Sequence, residues 1–263
     1  MKVLVNFSTP KFRINQVFNS LTGIFYGRFN KVKAYTEKDI DKEFYRKNFE
    51  ILNEKRGGGY WLWKPYFILK TLKDLKPGDF LFYCDSACFF VNKIDFLISS
   101  LLESNQDVMV YCLPLLESQW TKPSIKEHLY YLDESFFETN QRLASFILFQ
   151  KTDHSISFVE EWLELCKDPI LLTDINVEKD RKRNLSFIDH RHDQSLFSLL
   201  SKKYGYSPFR DPSQFGENIQ LFVGEKRYIR APLISKSLYP RILIQYRKIP
   251  FGKAFFKAIL KYY

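Results

Sequence analysis

Short apolar runs alternate with amphipathic stretches along most of the chain, and this alternation predicts an α/β fold. Strand-like apolar patterns occupy residues 2–8, 31–36, 80–84, 107–115 and 143–150. Between and after them, apolar residues recur at helical spacing in segments 12–27, 65–75, 92–103, 155–168 and 186–205. Strands and helices that alternate in this way are typical of a mostly parallel central sheet flanked by helices.

The remaining segments are more polar. Residues 41–55 and 124–138 have helical character, and the charged segment 176–184 is predicted to be a loop. Beyond about residue 225 the alternation fades, and three prolines predict an extended tail that ends in a short helix. We therefore expect one main domain over residues 1–225 and a separate basic tail over residues 226–263.

The net charge of +10 resides in that tail. Residues 226–263 contain ten lysines and arginines and no acidic residue, whereas the first 225 residues carry 30 basic and 30 acidic side chains. An anionic partner implied by the charge is thus a partner of the tail. In FGKAFFKAILKYY, at 251–263, lysines and apolar residues occupy separate faces of a helix, a pattern typical of an anionic membrane interface. The alternative is a terminal helix packed on its own domain.

The compartment is expected to be the cytoplasm, with the protein attached peripherally to the inner face of the cytoplasmic membrane. The first ten residues lack the apolar run of a secretory signal, and no apolar run reaches the roughly 18 residues that a membrane-spanning helix needs. The four cysteines lack the spacing of a zinc site or a disulfide framework, and we interpret them as small buried apolar residues.

A glycine-rich and aromatic segment, RGGGYWLWKP at 56–65, precedes the helix of residues 65–75. Glycines permit a ligand to approach the backbone closely, and N–H groups near a helix start favour an anion. Arg56 and Lys64 supply positive charge for such an anion, and the aromatic residues offer ring faces to a ligand. The alternative for the tryptophans is an anchor in the core, the commoner position for this side chain.

Asp85 follows the apolar strand FLFYC directly, at the edge of the sheet where ligands of α/β proteins gather. A carboxylate in this position can bind a divalent cation that carries a diphosphate, accept hydrogen bonds from a ribose, or simply form a turn. A metal-binding D-x-D pair would need a second carboxylate at position 87, which is Ala87.

The segment DHRHDQS, at 189–195, gathers two carboxylates, two imidazoles, a guanidinium and an amide just before a helix. Asp193 is a candidate general base, His190 or His192 a metal or phosphate ligand, and Arg191 a phosphate clamp. The alternative is a helix cap surrounded by solvated side chains.

Four segments together resemble a known family: 57–88, WTK at 120–122, TNQRLASFILF at 139–149 and HRHDQS at 190–195. Their order is similar to that in bacterial nucleotide-sugar glycosyltransferases of the GT-A fold, from polysaccharide and lipopolysaccharide biosynthesis. The resemblance covers about residues 1–205. It implies a Rossmann-like GT-A domain and transfer of a sugar from a nucleotide-diphosphate donor to a glycan or lipid-linked acceptor.

The resemblance also assigns roles to individual residues. It implies a reaction centre of Asp193 and Gln194, with Asp85 at the D-x-D position. The HRHD pattern adds His190 to the expected catalytic residues and His192, with Asp85, to the expected ligands of Mn²⁺ or Mg²⁺. The donor-binding residues that we expect are Arg56, Gly58, Gly59, Tyr60, Trp63, Lys64, Asp85, Ser86, Asn140, Gln141 and Ala144. Ala87 departs from the family pattern and leaves the metal dependence open.

Two other classes of function compete with this interpretation. A non-catalytic protein could use the basic tail to bind nucleic acid or a membrane surface, but the chain contains no recognised nucleic-acid motif, so no nucleic-acid partner is expected. A metal-dependent hydrolase built on HRHD would need more metal-ligating carboxylates than one strand-end aspartate supplies.

Overall fold

The structure, a computed structural model, describes residues 1–129, 132–217 and 239–246. Its strands are β1 (Lys2–Phe7), β2 (Lys31–Tyr35), β3 (Phe80–Cys84), β4 (Cys88–Phe90), β5 (Val108–Leu116), β6 (Asn140–Gln150), β7 (Pro208–Phe209) and β8 (Leu243–Gln245). The α-helices of the first half are α1 (Arg13–Phe25), α2 (Lys42–Lys47), α3 (Phe49–Leu52), α4 (Gly57–Tyr60), α5 (Trp63–Asp74) and α6 (Asp95–Glu103). They are followed by α7 (Glu117–Trp120), α8 (Ile125–His128), α9 (Asp153–Lys167), α10 (Pro169–Leu172), α11 (Val177–Arg183), α12 (Asp193–Lys203) and α13 (Gln214–Glu217).

Six of these strands form one sheet, in the order β2-β1-β3-β6-β5-β7. The pairs β1–β2, β1–β3 and β5–β7 are parallel, whereas β6 runs antiparallel to both of its neighbours, β3 and β5. Only β6 is therefore reversed, and the predicted α/β class with a mostly parallel sheet is confirmed. The shared direction of β1 and β3 brings their carboxyl ends to one edge, where Asp85 lies.

Both faces of the sheet are covered, which explains the unbroken apolar runs of the central strands. On one face, Val5, Tyr83 and Ile147 pack with residues of α5, α9 and α12. On the other face, Leu4 and Phe82 pack with residues of α6 and of the chain near β8. Alternate residues of each strand point to opposite cores, as the two-residue period of a strand requires.

Part of the predicted tail belongs to this packed domain. Strand β8 pairs antiparallel with β4, and Ile242 and Leu243 are fully buried. A chain that ended near residue 235 would lack these contacts. The amphipathic segment 251–263, which we expect to contact a membrane, lies outside the described residues.

One sequence prediction about the secondary structure is wrong, because Val177–Arg183 is a helix rather than a loop. The charges that suggested a loop are used within it. Asp180 is buried and accepts a hydrogen bond from Ser124, and Arg181 pairs with Glu178 three residues earlier. A charged run can thus form a helix when one of its carboxylates finds a buried donor.

All four cysteines are buried free thiols, as expected. Within the described ranges, no helix combines the length and the hydropathy that crossing a membrane requires.

Candidate active site

A cleft lies at the carboxyl end of β3, between the segment that follows this strand and the turn that precedes α12. It has a volume of about 250 Å³. Its lining consists of Arg56, Trp61, Lys64, Asp85, Ser145, Asp189, His190, Arg191, His192, Asp193 and Gln194. The glycine-rich segment, the strand-end aspartate and the DHRHDQS segment are far apart in sequence, and the fold brings them together here.

A buried lysine joins two of these carboxylates. Lys64 Nζ lies 2.6 Å from Asp193 Oδ2 and 3.8 Å from Asp85 Oδ1, and it donates a hydrogen bond to the Ala144 carbonyl at 3.1 Å. The side chains of Lys64 and Asp193 are each only 4% exposed, whereas that of Asp85 is 33% exposed. Asp85 is therefore the carboxylate of this group that a ligand reaches most readily.

Burial opposes the charged form of both members of the Lys64–Asp193 pair, with a different outcome for each. At Asp193, burial outweighs the attraction of Lys64 and raises the pKa to about 6. At Lys64, burial alone would lower the pKa, but the attraction of Asp193 and Asp85 together raises it above its ordinary value. Both side chains are consequently charged at neutral pH, and Asp193 gains a proton in mildly acidic solution.

Tyr83 fixes the position of the Asp85 side chain. Its hydroxyl donates to Asp85 Oδ1 at 2.6 Å, and the Asp85 backbone N–H donates to the Ser145 carbonyl at 2.7 Å. Burial, followed by the charge of Asp85, raises the pKa of Tyr83 well above its usual range, so the hydroxyl remains a donor. The pair arises because Tyr83 and Asp85 are two residues apart and lie on the same side of the strand end.

Gln194 is held by two residues of β6. Its Oε1 accepts the Ala144 backbone N–H at 3.2 Å, and its Nε2 donates to Gln141 Oε1 at 2.8 Å. Gln141 in turn donates to Glu117 Oε1 at 3.1 Å. These contacts fix which end of the Gln194 amide is oxygen and which is nitrogen, because each partner can act in only one way.

The two histidines are neutral and point their rings toward the chain around α10. His190 Nε2–H donates to the Leu171 carbonyl at 2.9 Å, and His192 Nδ1–H donates to the Leu172 carbonyl at 2.8 Å. Burial lowers the pKa of His190 well below its usual range and that of His192 to about 4. Neither ring carries a charge near neutral pH.

The second ring nitrogen of His192 is suited to a metal ion. It is buried and has no hydrogen-bond partner among residues 1–129, 132–217 and 239–246. Because Nδ1 carries the proton, Nε2 keeps a lone pair, the arrangement found in metal-bound histidines. Asp85 adds a carboxylate to the same cleft, but the described part of the chain holds no group of three or more potential metal-ligating side chains. Asp174 Oδ1 lies 4.0 Å from His192 Nε2. Asp85 and His192 are the two candidate ligands of a cation in this cleft.

The RGGGYW segment forms a left-handed turn rather than the start of a regular helix. Five consecutive residues, Gly57 to Trp61, have positive φ angles between 49° and 95°. The N–H groups of Gly58 and Gly59 donate to the carbonyls of Lys55 and Glu54. The glycines therefore make the turn possible, and their N–H groups bond within it.

The turn places one tryptophan in the cleft and the other in the core. Trp61 lies over the His192 ring, with centroids 5.5 Å apart and planes 19° apart. Trp63 is buried, stacks on Phe7 at 3.8 Å and donates its indole N–H to Gly57 O. The core alternative thus applies to Trp63, and Trp61 is the aromatic side chain available to a ligand.

Arg56 stands at the mouth of the cleft and is paired with two carboxylates. It contacts Asp174 at 2.9 Å and Asp189 at 3.1 Å, and Asp174 also accepts the Tyr60 hydroxyl at 2.8 Å. All three charged side chains are partly exposed. Surface pairs of this kind are weak, so an anionic ligand can compete for Arg56.

The structure assembles about half of the site residues expected from the sequence. Eight of them line the cleft: Arg56, Lys64, Asp85, His190, Arg191, His192, Asp193 and Gln194. Gln141 and Ala144 do not line the cleft, but both hydrogen-bond Gln194, and the Ala144 carbonyl also accepts from Lys64. Six do not line it, namely Gly58, Gly59, Tyr60, Trp63, Ser86 and Asn140.

Ser86 and Asn140 do not line the cleft because their side chains hydrogen-bond backbone carbonyls elsewhere. Ser86 donates to Phe7 O at 2.6 Å, and Asn140 donates to Leu113 O at 2.6 Å. Ser145, Tyr83 and Asp174 were missed by the sequence argument. Only Tyr83 has a local signal, its position two residues before a strand-end carboxylate.

No protein-family model matches the sequence, and no curated protein matches it either. Among solved structures, the chain is similar to mouse xyloside xylosyltransferase 1 in its apo form, at 8% identity and a TM-score of 0.47, over 95% of this chain and 100% of that one. It is also similar to the galactosyltransferase LgtC in complex with donor and acceptor sugar analogues, at 11% identity and a TM-score of 0.44, over 94% and 87%. The Streptococcus pneumoniae TIGR4 glycosyltransferase GlyE matches at 15% identity and a TM-score of 0.42, over 94% of this chain and 54% of that one. All three are glycosyltransferases by name, and at these identities no residue role passes from them to this chain.

Proposed function

We propose that this protein transfers a glycosyl group from a nucleotide-diphosphate sugar to an acceptor hydroxyl, and that the cleft at the end of β3 is its active site. The observation that carries the proposal is the group Asp85–Lys64–Asp193, with one exposed and one buried carboxylate around a buried cation. Such a transfer releases a diphosphate and activates a hydroxyl, so it needs positive charge and carboxylates side by side. The motif order of the sequence supports the same reaction.

Each part of the cleft has a proposed role. Asp85 faces the donor diphosphate, and Lys64 keeps the charge of this region balanced. Arg56 binds the diphosphate by exchanging its weak carboxylate partners for phosphate oxygens. Trp61 offers a ring face to the base or the sugar.

Asp193 and Gln194 form the proposed reaction centre. If the reaction inverts the anomeric configuration, Asp193 accepts the proton of the acceptor hydroxyl. If it retains the configuration, Asp193 positions the donor sugar. Gln194 is fixed by Gln141 and Ala144, which suits a group that must hold a sugar hydroxyl in one orientation. His190, whose Nε2–H is bonded to Leu171, acts by holding the turn that carries these residues.

A divalent cation, Mn²⁺ or Mg²⁺, fits this site through Asp85 and His192 Nε2. When bound, it neutralises charge on the departing diphosphate. The donor and water would supply the remaining ligands, since Ala87 offers none. The nitrogen ligand favours Mn²⁺, because Mg²⁺ prefers oxygen.

The acceptor that we propose is a glycan or a lipid-linked saccharide of bacterial surface polysaccharide synthesis. The sequence resemblance supports this class, and the basic tail supports a position at the inner face of the cytoplasmic membrane. A lipid-linked acceptor is presented at such a surface.

The test is a screen of the purified full-length chain against a panel of nucleotide sugars, with and without Mn²⁺. Mass spectrometry measures nucleotide diphosphate release and transfer to added acceptors. We expect turnover of one donor or a few related ones, and its loss in Asp85→Asn. No binding or turnover of any nucleotide sugar would refute the proposal, as would equal turnover by the wild type and a well-folded Asp85→Asn protein.

A further inference from the structure

Helix α1 is amphipathic in the reverse sense to most surface helices, because its apolar side chains face outward. Every exposed residue within it is apolar, and the flanking residues Phe12 and Tyr26 continue the pattern. Of the fourteen large apolar side chains exposed in the described residues, seven lie between positions 12 and 26. We call the five within the helix the α1 face: Ile14, Val17, Leu21, Ile24 and Phe25.

The inward side of α1 is polar and fully engaged, so the orientation of the helix is specified. Gln16 donates to the Tyr35 carbonyl at 2.7 Å, and Asn19 donates to the Cys88 carbonyl at 3.0 Å. Thr22 accepts the Phe90 backbone N–H at 3.1 Å. A rotation that buried the apolar side chains would break these bonds and leave buried polar groups unsatisfied. The outward display of the α1 face is therefore a consequence of specific contacts.

Basic residues lie near both ends of this face, and the acid beside its first turn, Glu37, is paired with Arg13 at 3.6 Å. Exposed Lys11 and Arg28 lie just beyond its two ends, and exposed Lys93 is adjacent, since the next residue, Ile94, donates its N–H to Gly27 O. Tyr246, the last described residue before the basic segment 247–263, lies beside α1. Asn15 of this helix donates to the Tyr246 hydroxyl at 2.9 Å, and residues 247–263 contain five basic residues and no acid.

We propose that the α1 face is a membrane-docking surface, which inserts its apolar side chains between the headgroups of an anionic phospholipid bilayer. A convex apolar ridge about 20 Å long is suited to a deformable lipid surface, and basic residues at its margins attract anionic headgroups. The contact is separate from the tail segment 251–263 and does not depend on the proposed reaction. It also gives the exposed apolar residues a function that the cleft does not.

The experiment uses the full-length chain and large vesicles of phosphatidylcholine with or without phosphatidylserine, scored by co-sedimentation. The test variant is Leu21→Gln/Phe25→Gln, which removes apolar surface from the α1 face without changing charge or helix propensity. The matched control is Leu102→Gln, a half-exposed leucine on α6. We expect the wild type to bind anionic vesicles in a salt-sensitive way. The double variant should partition to these vesicles at least about tenfold more weakly, which is roughly the effect of losing one or two apolar side chains. The control should bind like the wild type.

The melting temperature and the oligomeric state distinguish a membrane from two other partners of this face, another segment of this chain and a second copy of the protein. The melting temperature of the double variant should stay within about 3 °C of the wild type, because its side chains are exposed. A much larger fall would mean that residues of this chain cover the face, and would overturn the proposal. A wild-type dimer that the double variant converts to a monomer would assign the face to a second copy. Equal vesicle binding by wild type and double variant, or none by the wild type, would also refute it.

Discussion

The ammonium of Lys64 lies 2.6 Å from the Asp193 carboxylate, in a position where each side chain is only 4% exposed. The sequence suggested a lysine that contacts the donor diphosphate directly. The structure shows a lysine whose nearest partner is a carboxylate of the protein, so its charge supports the site before any ligand arrives. Removing it affects folding as well as binding, because a buried carboxylate then loses its counter-ion.

Lys64→Met should lower the free energy of unfolding by about 3 kcal/mol at pH 7, as expected when one member of a buried ion pair is removed. Chemical denaturation monitored by fluorescence measures this. The double variant Lys64→Met/Asp193→Leu should recover most of the loss, because no unpaired charge remains. If the single variant were as stable as the wild type, the pair would contribute nothing to folding and Lys64 would be a binding residue alone.

The raised pKa of Asp193 predicts a pH dependence of both activity and stability. Below pH about 6 the carboxylate is protonated in the folded protein, so kcat/KM should fall as the pH drops through this value. In the unfolded chain the pKa of an aspartate is about 3.9, so between these values the folded state binds the extra proton. The contribution of Asp193 to stability should thus decrease as the pH rises from about 4 to about 6 and then level off. His190 and His192 contribute the opposite dependence, because the unfolded chain protonates them below about pH 6.5 and the folded protein does not.

Asp193→Asn separates these effects, since it cannot titrate. We expect stability to rise more steeply with pH in this variant than in the wild type, because only the histidines still titrate differently in the folded and unfolded states. We also expect the variant to lower kcat more than it weakens donor binding. The histidines should not change the activity profile near neutral pH, because burial holds their pKa values low in the folded protein. An activity profile that keeps its acidic inflection in Asp193→Asn would assign the inflection to another group.

Asp85→Ala should abolish transfer without unfolding the protein. Its carboxylate is 33% exposed in the cleft, so its loss leaves Lys64 still paired with Asp193 at 2.6 Å. We expect turnover to fall at least about 100-fold, the effect of removing one preorganised electrostatic group. Thermal melting of the same preparation serves as the control, and wild-type turnover in a folded variant would remove Asp85 from the site.

The sheet and two segments that line the cleft, Asp85 and DHRHDQS, could be predicted because short stretches of sequence identify them. The apolar run 80–84 followed by Asp85 identifies a buried strand and its carboxyl end, and DHRHDQS precedes a helix as expected. The same local logic failed at Val177–Arg183, where a buried contact between Asp180 and Ser124 outweighs the charged composition.

Other features depend on contacts between distant residues, which no single segment reveals. The choice between Trp61 and Trp63 depends on a left-handed turn that the sequence indicates only as flexibility. The link from Glu117 through Gln141 to Gln194 joins three elements. The outward apolar side of α1 follows from buried bonds of Gln16 and Asn19 to other strands.

Gln141→Leu tests this link. Gln141 is fully buried and does not line the cleft, yet it accepts the Gln194 side-chain amide at 2.8 Å. Without it the Gln194 side chain can rotate, and we expect kcat to fall about tenfold or more while donor binding changes little. The matched control is the neighbouring Asn140→Ala, whose side chain bonds Leu113 O instead. Equal activity of both variants would show that Gln194 needs no such support.

Gly59→Ala should destabilise the turn that carries Arg56 and Trp61. Gly59 has φ +95°, and a Cβ atom there would lie 2.8 Å from the Cα of Leu52, a backbone atom that cannot rotate away. The matched control is Gly78→Ala, where φ is +82° but no atom lies within 4 Å of the added carbon. Gly78→Ala should therefore cost about 1 kcal/mol from backbone strain alone, and Gly59→Ala about 3 kcal/mol from strain and overlap together. Denaturation curves of the two proteins measure the difference.

Since the turn positions side chains of the cleft, Gly59→Ala should also weaken donor binding, whereas Gly78→Ala should not. Equal costs for the two substitutions would mean that the chain around Leu52 shifts to admit a side chain, and that this turn does not need its glycine.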